Sequence, residues 1–211
     1  MFHPVGHPLE RGWVGRIDGD RVVQLAAQTL QSFFTGGGSA REHAEYRLDD
    51  VVLLAPVRHP PSIRLFDDGR SFVFANPAAI VGPDASIQAP SATVSQGGLT
   101  AFSRVAAVIG ADGAIGGFTA LAEWRAPWLR PPKDRDFGLG LGPVVVTTDE
   151  CAADSRGFDW SAALALAESG TVLYPGDILG GPALERREVA AGESVSLRID
   201  GIGTLEQRVA G

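Results

Sequence analysis

The stretch LTAFSRVAAVIG, Leu99 to Gly110, places an arginine inside a run that is otherwise built for burial. Val105, Ala106, Ala107, Val108 and Ile109 form an apolar segment closed by Gly110, which suits a strand covered on both faces. Side chains alternate along a strand, so Phe102, Arg104, Ala106 and Val108 share one face. An unpaired buried guanidinium is very costly, so Arg104 requires acceptors. Two arrangements supply them. Arg104 captures a ligand carboxylate through its planar fork, or it sits in a structural ion pair.

Other reactive side chains carry weaker signals. His3 and His7 stand four apart in HPVGHP, but Pro4 and Pro8 prevent the regular helix that would present both to a metal. His59, beside Pro60 and Pro61, reads as a surface histidine in a linker, with a catalytic role as the alternative. Cys151 follows TTDE without a neighbouring histidine and reads as an inert loop thiol. GLGLG, Gly138 to Gly142, lacks the following helix and basic residue of a phosphate loop. Trp124 and Trp128 flank Pro127, placed either to line a pocket or to pack in a core or dimer contact.

Many short apolar runs, punctuated by 27 glycines and 14 prolines, hold these residues and favour a sheet-rich fold. GWVGRIDGDRVVQL reads as a hairpin turning at Asp18-Gly19. QLAAQTLQSFF has helical spacing at Leu25, Thr29, Leu30 and Phe33 and stops at Gly36 to Gly38. DDVVLLAPV is a strand ended by Pro56. SIRLF opens the larger part, and SFVFANPAAIVGP gives a strand and a bounded connection. RVAAVIG is a central strand, with GGFTALAEW and the β-branched GPVVVTT as further strands. FDWSAALALAESG is a helix, with Asp159 as cap, Trp160, Ala163, Leu164 and Ala167 on one face, and Gly170 as terminator. Val195, Leu197 and Ile199 alternate inward before a turn at Asp200-Gly201 and a returning strand through Leu205 and Val209.

At 211 residues the chain can bury a sizeable core. Its net charge of −7 argues against nucleic acid or an anionic membrane as partner. No apolar run approaches the ~18 residues of a membrane span, and no basic segment leads into an apolar core at the N-terminus. A single cysteine excludes an internal disulfide framework and a cysteine-based zinc site. A cytoplasmic protein is the expectation.

Six segments, in order, resemble the fumarylacetoacetate hydrolase superfamily: LLAPVRHPPSIRLF, FANPAAIVGP, RVAAVIG, PPKDRDFGLGLGPVVVTTDE, LYPGDIL and GIGTLEQRV. They run from about Val51 to Val209. The resemblance implies a mixed α/β, β-rich fold: a β-roll core over residues 59–211 and a small N-terminal α+β subdomain over residues 1–58. It also implies a homodimer, and Mg²⁺- or Mn²⁺-dependent enzymes that cleave carbon–carbon bonds in small keto acids, or decarboxylate, hydrate or tautomerise them.

Such an ion needs several carboxylate oxygens and chelates a keto acid. The resemblance implies two acids two apart before a VIG-like end, and a third after a GYT-like start. Here those positions hold Phe102, Arg104 and Glu123. A fixed cation repels Mg²⁺, so the expectation is that no metal is held and that Glu123 serves Arg104 as counter-ion. The His and Glu expected after the PPSIRDF-like segment have no counterpart here, and Gly180, Gly181 and Pro182 offer no hydroxyl where a Gly-Thr element is usual.

Lys133 matches the superfamily lysine near the substrate carboxylate, with Asp136 at the matching spacing. Lys133 is then either a buried base with a depressed pKa or a remnant paired with Asp134 or Asp136. The candidate catalytic residues are Lys133 and Glu123, and the candidate ligand-binding residues are Arg104, Lys133 and Phe102. The expected function is a divergent member without the metal-dependent reaction. It binds a small keto acid or carboxylate as a homodimer, or partners an active relative in a hetero-oligomer. The alternative is a metal-independent hydrolase, decarboxylase or isomerase.

Overall fold

The computed structural model of the protein describes residues 1–90, 98–150 and 157–211. Cys151 lies outside these residues, so the reading of its thiol ends with the sequence.

The first 53 residues form two small sheets and a short helix. These are β1 (Phe2–Pro4), β2 (Gly15–Asp18), β3 (Arg21–Leu25), α1 (Leu30–Thr35), β4 (Glu42–Arg47) and β5 (Val51–Leu53). β1 pairs antiparallel with β5, and β2, β3 and β4 form an antiparallel meander. Gly19, at φ +56°, supplies the expected hairpin turn. The expected helix is shorter than its pattern and starts later. Thr29 and Ser32 cap each other reciprocally, which fixes the first turn, and leaves Leu25 in β3.

The rest of the chain contributes β6 (Ile63–Asp68), β7 (Ser71–Phe74), β8 (Ile80–Val81), β9 (Ser86–Ile87), β10 (Leu99–Ile109), β11 (Ile115–Arg125) and β12 (Leu139–Thr147). It continues through α2 (Trp160–Glu168), β13 (Ile178–Val189), β14 (Ser194–Ile199) and β15 (Gly203–Val209). Seven strands make the main sheet in the order β7-β6-β13-β10-β11-β12-β8. A smaller sheet, β14-β15-β9, packs against it.

β10 is central, and its alternation is as the sequence implies. Leu99, Ala101, Val105, Ala107 and Ile109 enter a core shared with α2 and the smaller sheet. Ala106 and Val108 enter a second core with Phe34, Val57, Ile63, Leu121 and Leu141. Both faces are covered, which is why the run lacks polar alternation. α2 starts at its Asp159 cap, which accepts from the Ala162 amide, and buries Ala163 and Ala167.

β13, at 12 residues the longest strand among the described residues, is not visible in the sequence as a strand. Its outer half, GluArgArgGlu, is exposed, and Gly180-Gly181-Pro182 interrupts its pattern.

GLGLG lies within β12, where its glycines answer a packing demand. Trp124 is fully buried and donates from Nε1 to Gln207 Oε1 at 2.6 Å, and Gln207 Nε2 donates to the Gly82 carbonyl. That amide fills the space a Cβ on Gly140 would need. Replacing Gly140 by Ala displaces Gln207 and leaves the indole N–H unpartnered. The expected loss is about 1–3 kcal/mol in urea denaturation, whereas Gly192→Ala, where nothing lies within 4 Å, loses only what its positive φ of +80° demands.

A buried arginine cluster as the candidate functional site

The β6–β13 ladder stops at Leu65 and Gly180. Just beyond that point both strands are irregular. β6 bulges against β7 at Asp67, and β13 places Gly181 and Pro182 opposite Val105 alone. The Phe66 and Gly181 carbonyls are therefore left without strand partners in a buried place. Arg104 supplies the donors: its Nη1 donates to Phe66 O at 2.9 Å and to Gly181 O at 2.8 Å.

The other two nitrogens meet acids. Nε donates to Glu123 Oε2 at 2.9 Å, and Nη2 donates to Asp67 Oδ1 at 2.8 Å while lying 2.7 Å from Glu123 Oε2. Arg104 is 1% exposed and Glu123 is fully buried. The counter-ion expected from sequence is thus present, and every nitrogen of the guanidinium is engaged within the chain.

Glu123 also holds a second arginine. Arg125 donates from Nε to Glu123 Oε1 at 2.6 Å, and its guanidinium carbon lies 4.6 Å from the centre of the Phe102 ring. Phe102 faces Glu123 across β10 and β11, so strand register alone builds this stack. Arg135 approaches Glu123 Oε1 at 3.8 Å and binds both carboxylate oxygens of Asp134. Three carboxylates thus face three guanidinium groups.

The electrostatics follow from this crowding. Burial raises the Asp67 carboxyl, but the hydrogen bond from Arg104 and the charges of Arg104, Arg125 and Arg135 outweigh it and hold it below its ordinary value. Arg135 is held above its ordinary value chiefly by its hydrogen bonds to Asp134, which with the charges of Asp134, Glu123 and Asp67 outweigh the opposing effect of burial.

Glu123, Arg104 and Phe102 therefore meet in one cluster. Lys133 stands apart on the surface, 75% exposed, with Nζ donating to Asp136 Oδ2 at 2.7 Å. The buried cleft lysine that one sequence reading called for is absent, since the side chain is solvent-exposed and paired with Asp136. Arg125 and Arg135 went unnoticed in the sequence. The signal available was their spacing: Arg125 is two residues after Glu123, on the same face of the strand. Three cavities, of about 700, 530 and 400 Å³, are lined by other residues.

No family model and no curated protein matches the sequence. Solved structures do. Maleylpyruvate hydrolase from Sphingobium sp. SYK-6 superposes with a TM-score of 0.78 at 21% identity, over 95% of this chain and 97% of that one. A 5-carboxymethyl-2-hydroxymuconate delta-isomerase from Mycobacterium smegmatis gives 0.73 at 20% identity, over 94% of each chain. A 2-keto-3-deoxy-D-arabinonate dehydratase gives 0.78 at 16% identity, over 99% of this chain and 97% of that one. The chain has the fold of the fumarylacetoacetate hydrolase superfamily, as its motifs imply.

These structures correct the expectation that no metal is held. The hydrolase is also seen with manganese(II) and pyruvate, and the dehydratase with magnesium and 2,5-dioxopentanoate. Two proteins of this fold are thus seen with divalent ions, and two positions, Phe102 and Arg104, are too narrow a ground to exclude one. At Glu123 itself the donors do not fit an ion. Both of its oxygens are taken by guanidinium groups, and among the described residues no three His, Cys, Asp or Glu side chains gather into a ligand set. No chemical step at Glu123 is therefore assigned to a metal. No helix among the described residues is long and apolar enough to cross a membrane.

Removing Arg104 takes the donors from Glu123 Oε2 and from the buried Phe66 and Gly181 carbonyls, although Arg125 still holds Glu123 Oε1. Arg104→Met is expected to cost about 3–5 kcal/mol in urea denaturation. Adding Glu123→Ala is expected to cost less than the sum of the two single changes, by about 1–3 kcal/mol. Asp67 gives a pH signature. Because its folded-state value is depressed, its contribution is complete above its unfolded value, about 4, and disappears as pH falls through the folded value. Asp67→Asn is expected to lose less stability than the parent between about pH 7 and about pH 3.

Proposed function

We propose that the chain is a divergent member of the fumarylacetoacetate hydrolase superfamily that binds a small keto acid or carboxylate at the Glu123 cluster, with Arg125 as the anchoring residue. The observation that carries this reading is the accounting of donors. Arg104 has none to spare, whereas Arg125 spends Nε on Glu123 and its two Nη nitrogens make no hydrogen bond or ion pair among the described residues. Its side chain is 24% exposed, at the rim of the cluster. Glu123 and the Phe102 ring fix the guanidinium from one edge and one face, so little rotamer freedom remains to be lost on binding. Arg135 Nη1, near the same Glu123 oxygen, adds a second positive group to that rim. The pyruvate seen in the maleylpyruvate hydrolase fits the same ligand class.

Arg104 then acts as a positioning residue. It anchors Glu123, which in turn aims Arg125. The rival reading, catalysis by Lys133 and Glu123, is less well supported: Glu123 offers no oxygen free to take a substrate proton, and Lys133 is paired on the surface.

Calorimetric titration with pyruvate and with oxalate tests the proposal. Saturable binding is expected, weakened about tenfold in Arg125→Gln, since one charge-assisted hydrogen-bonding group is lost. Affinity is expected to fall with added salt, because the site is partly open. Failure of both ligands to bind the parent, or equal binding by Arg125→Gln, would overturn it.

A further inference from the structure

We infer that the cavity between residues 10–11, 29–31 and 56–59 is a second ligand site, built for a small anion with at least two negatively charged oxygens. It encloses about 400 Å³ and is lined by Glu10, Arg11, Thr29, Gln31, Arg58 and His59, among others. That volume lies within the range of small-molecule sites.

Charge is the first argument. The chain carries a net −7, and nine of the sixteen described arginines are paired with acids, on the surface as well as inside. Arg11 and Arg58 make no ion pair or hydrogen bond among the described residues, yet both line this one cavity. Glu10 is the only acid in the lining and pairs with neither. Two guanidinium groups, brought from separate segments against one carboxylate, leave the cavity positive in an acidic protein. Two planar guanidinium forks from separate segments suit an anion that offers at least two oxygens.

Position is the second argument. Gln31, half-buried on α1, presses against Gly176: a Cβ there would lie 2.6 Å from Gln31 Cγ and 2.7 Å from Nε2. Gly176 in turn donates to the Ile109 carbonyl at the end of β10. The Gln31 amide makes no hydrogen bond of its own among the described residues, so it has donors to offer an oxyanion. A ligand here bridges the β1–β2 connection, α1 and the segment leading to β6. It ties the N-terminal elements to the main sheet, close to the Ile109 end of β10, while Arg104 sits at the middle of that strand.

Dicarboxylates and phosphates share this chemistry, so oxalate and inorganic phosphate are the probes. Amide NMR titrations of the full chain are expected to show saturable shifts at Arg11, Gln31, Arg58 and His59 with at least one of them. Arg58→Gln and Arg11→Gln are each expected to weaken that binding about tenfold, while Arg125→Gln leaves it unchanged. Tighter binding of phosphate supports the site with a phosphate ligand, and tighter binding of oxalate supports it with a dicarboxylate. The inference is overturned if neither probe shifts these amides saturably, or if both arginine variants bind like the parent.

Discussion

The end of the β6–β13 ladder is the constraint on which this structure turns. Two strands part there, each by a bulge, and leave the carbonyls of Phe66 and Gly181 facing inward. A buried carbonyl without a donor is costly. Arg104 resolves this by spanning the gap, and its own charge then requires Glu123 and Asp67. Glu123 brings in Arg125 and Arg135. One backbone irregularity thus propagates into a six-member charged cluster with a buried centre and a partly exposed edge.

The same chain of dependence shapes function. A carboxylate ringed by guanidinium groups is a holder of arginines more than a source of chemistry. Its orientation decides where Arg125 points, and Phe102 closes the other side. Proteins of this fold act as a hydrolase, an isomerase and a dehydratase, so the scaffold carries several reactions and does not choose among them. In this chain the partly exposed edge of the cluster carries Arg125 and Arg135.

Much of this was legible beforehand. The buried run around Val105 to Ile109, the shared face of Phe102 and Arg104, the cap of α2 and the last hairpin all follow from period and turn chemistry, and the pairing of Arg104 with Glu123 from the order of motifs. The remaining acceptors were not legible. Backbone carbonyls carry no residue-type signal, and the bulges that aim Phe66 O and Gly181 O depend on register between distant strands. β13 was hidden because half of it is solvent-facing and charged. α1 was overextended because helical spacing says nothing about the reciprocal cap at Thr29 and Ser32. The dismissal of a metal failed for another reason: it drew a property of the whole site from two positions, Phe102 and Arg104. Lys133 matched a motif, but a motif does not say which way its loop turns.

The most direct measurement is guanidinium NMR of the arginine Nε–H groups, with and without pyruvate. The account predicts that Arg104 Nε–H, buried and bound to Glu123, is strongly protected from exchange and unmoved by pyruvate, while the Arg125 signal shifts saturably. An Arg104 signal that exchanges rapidly or follows the ligand, with Arg125 unchanged, would contradict it.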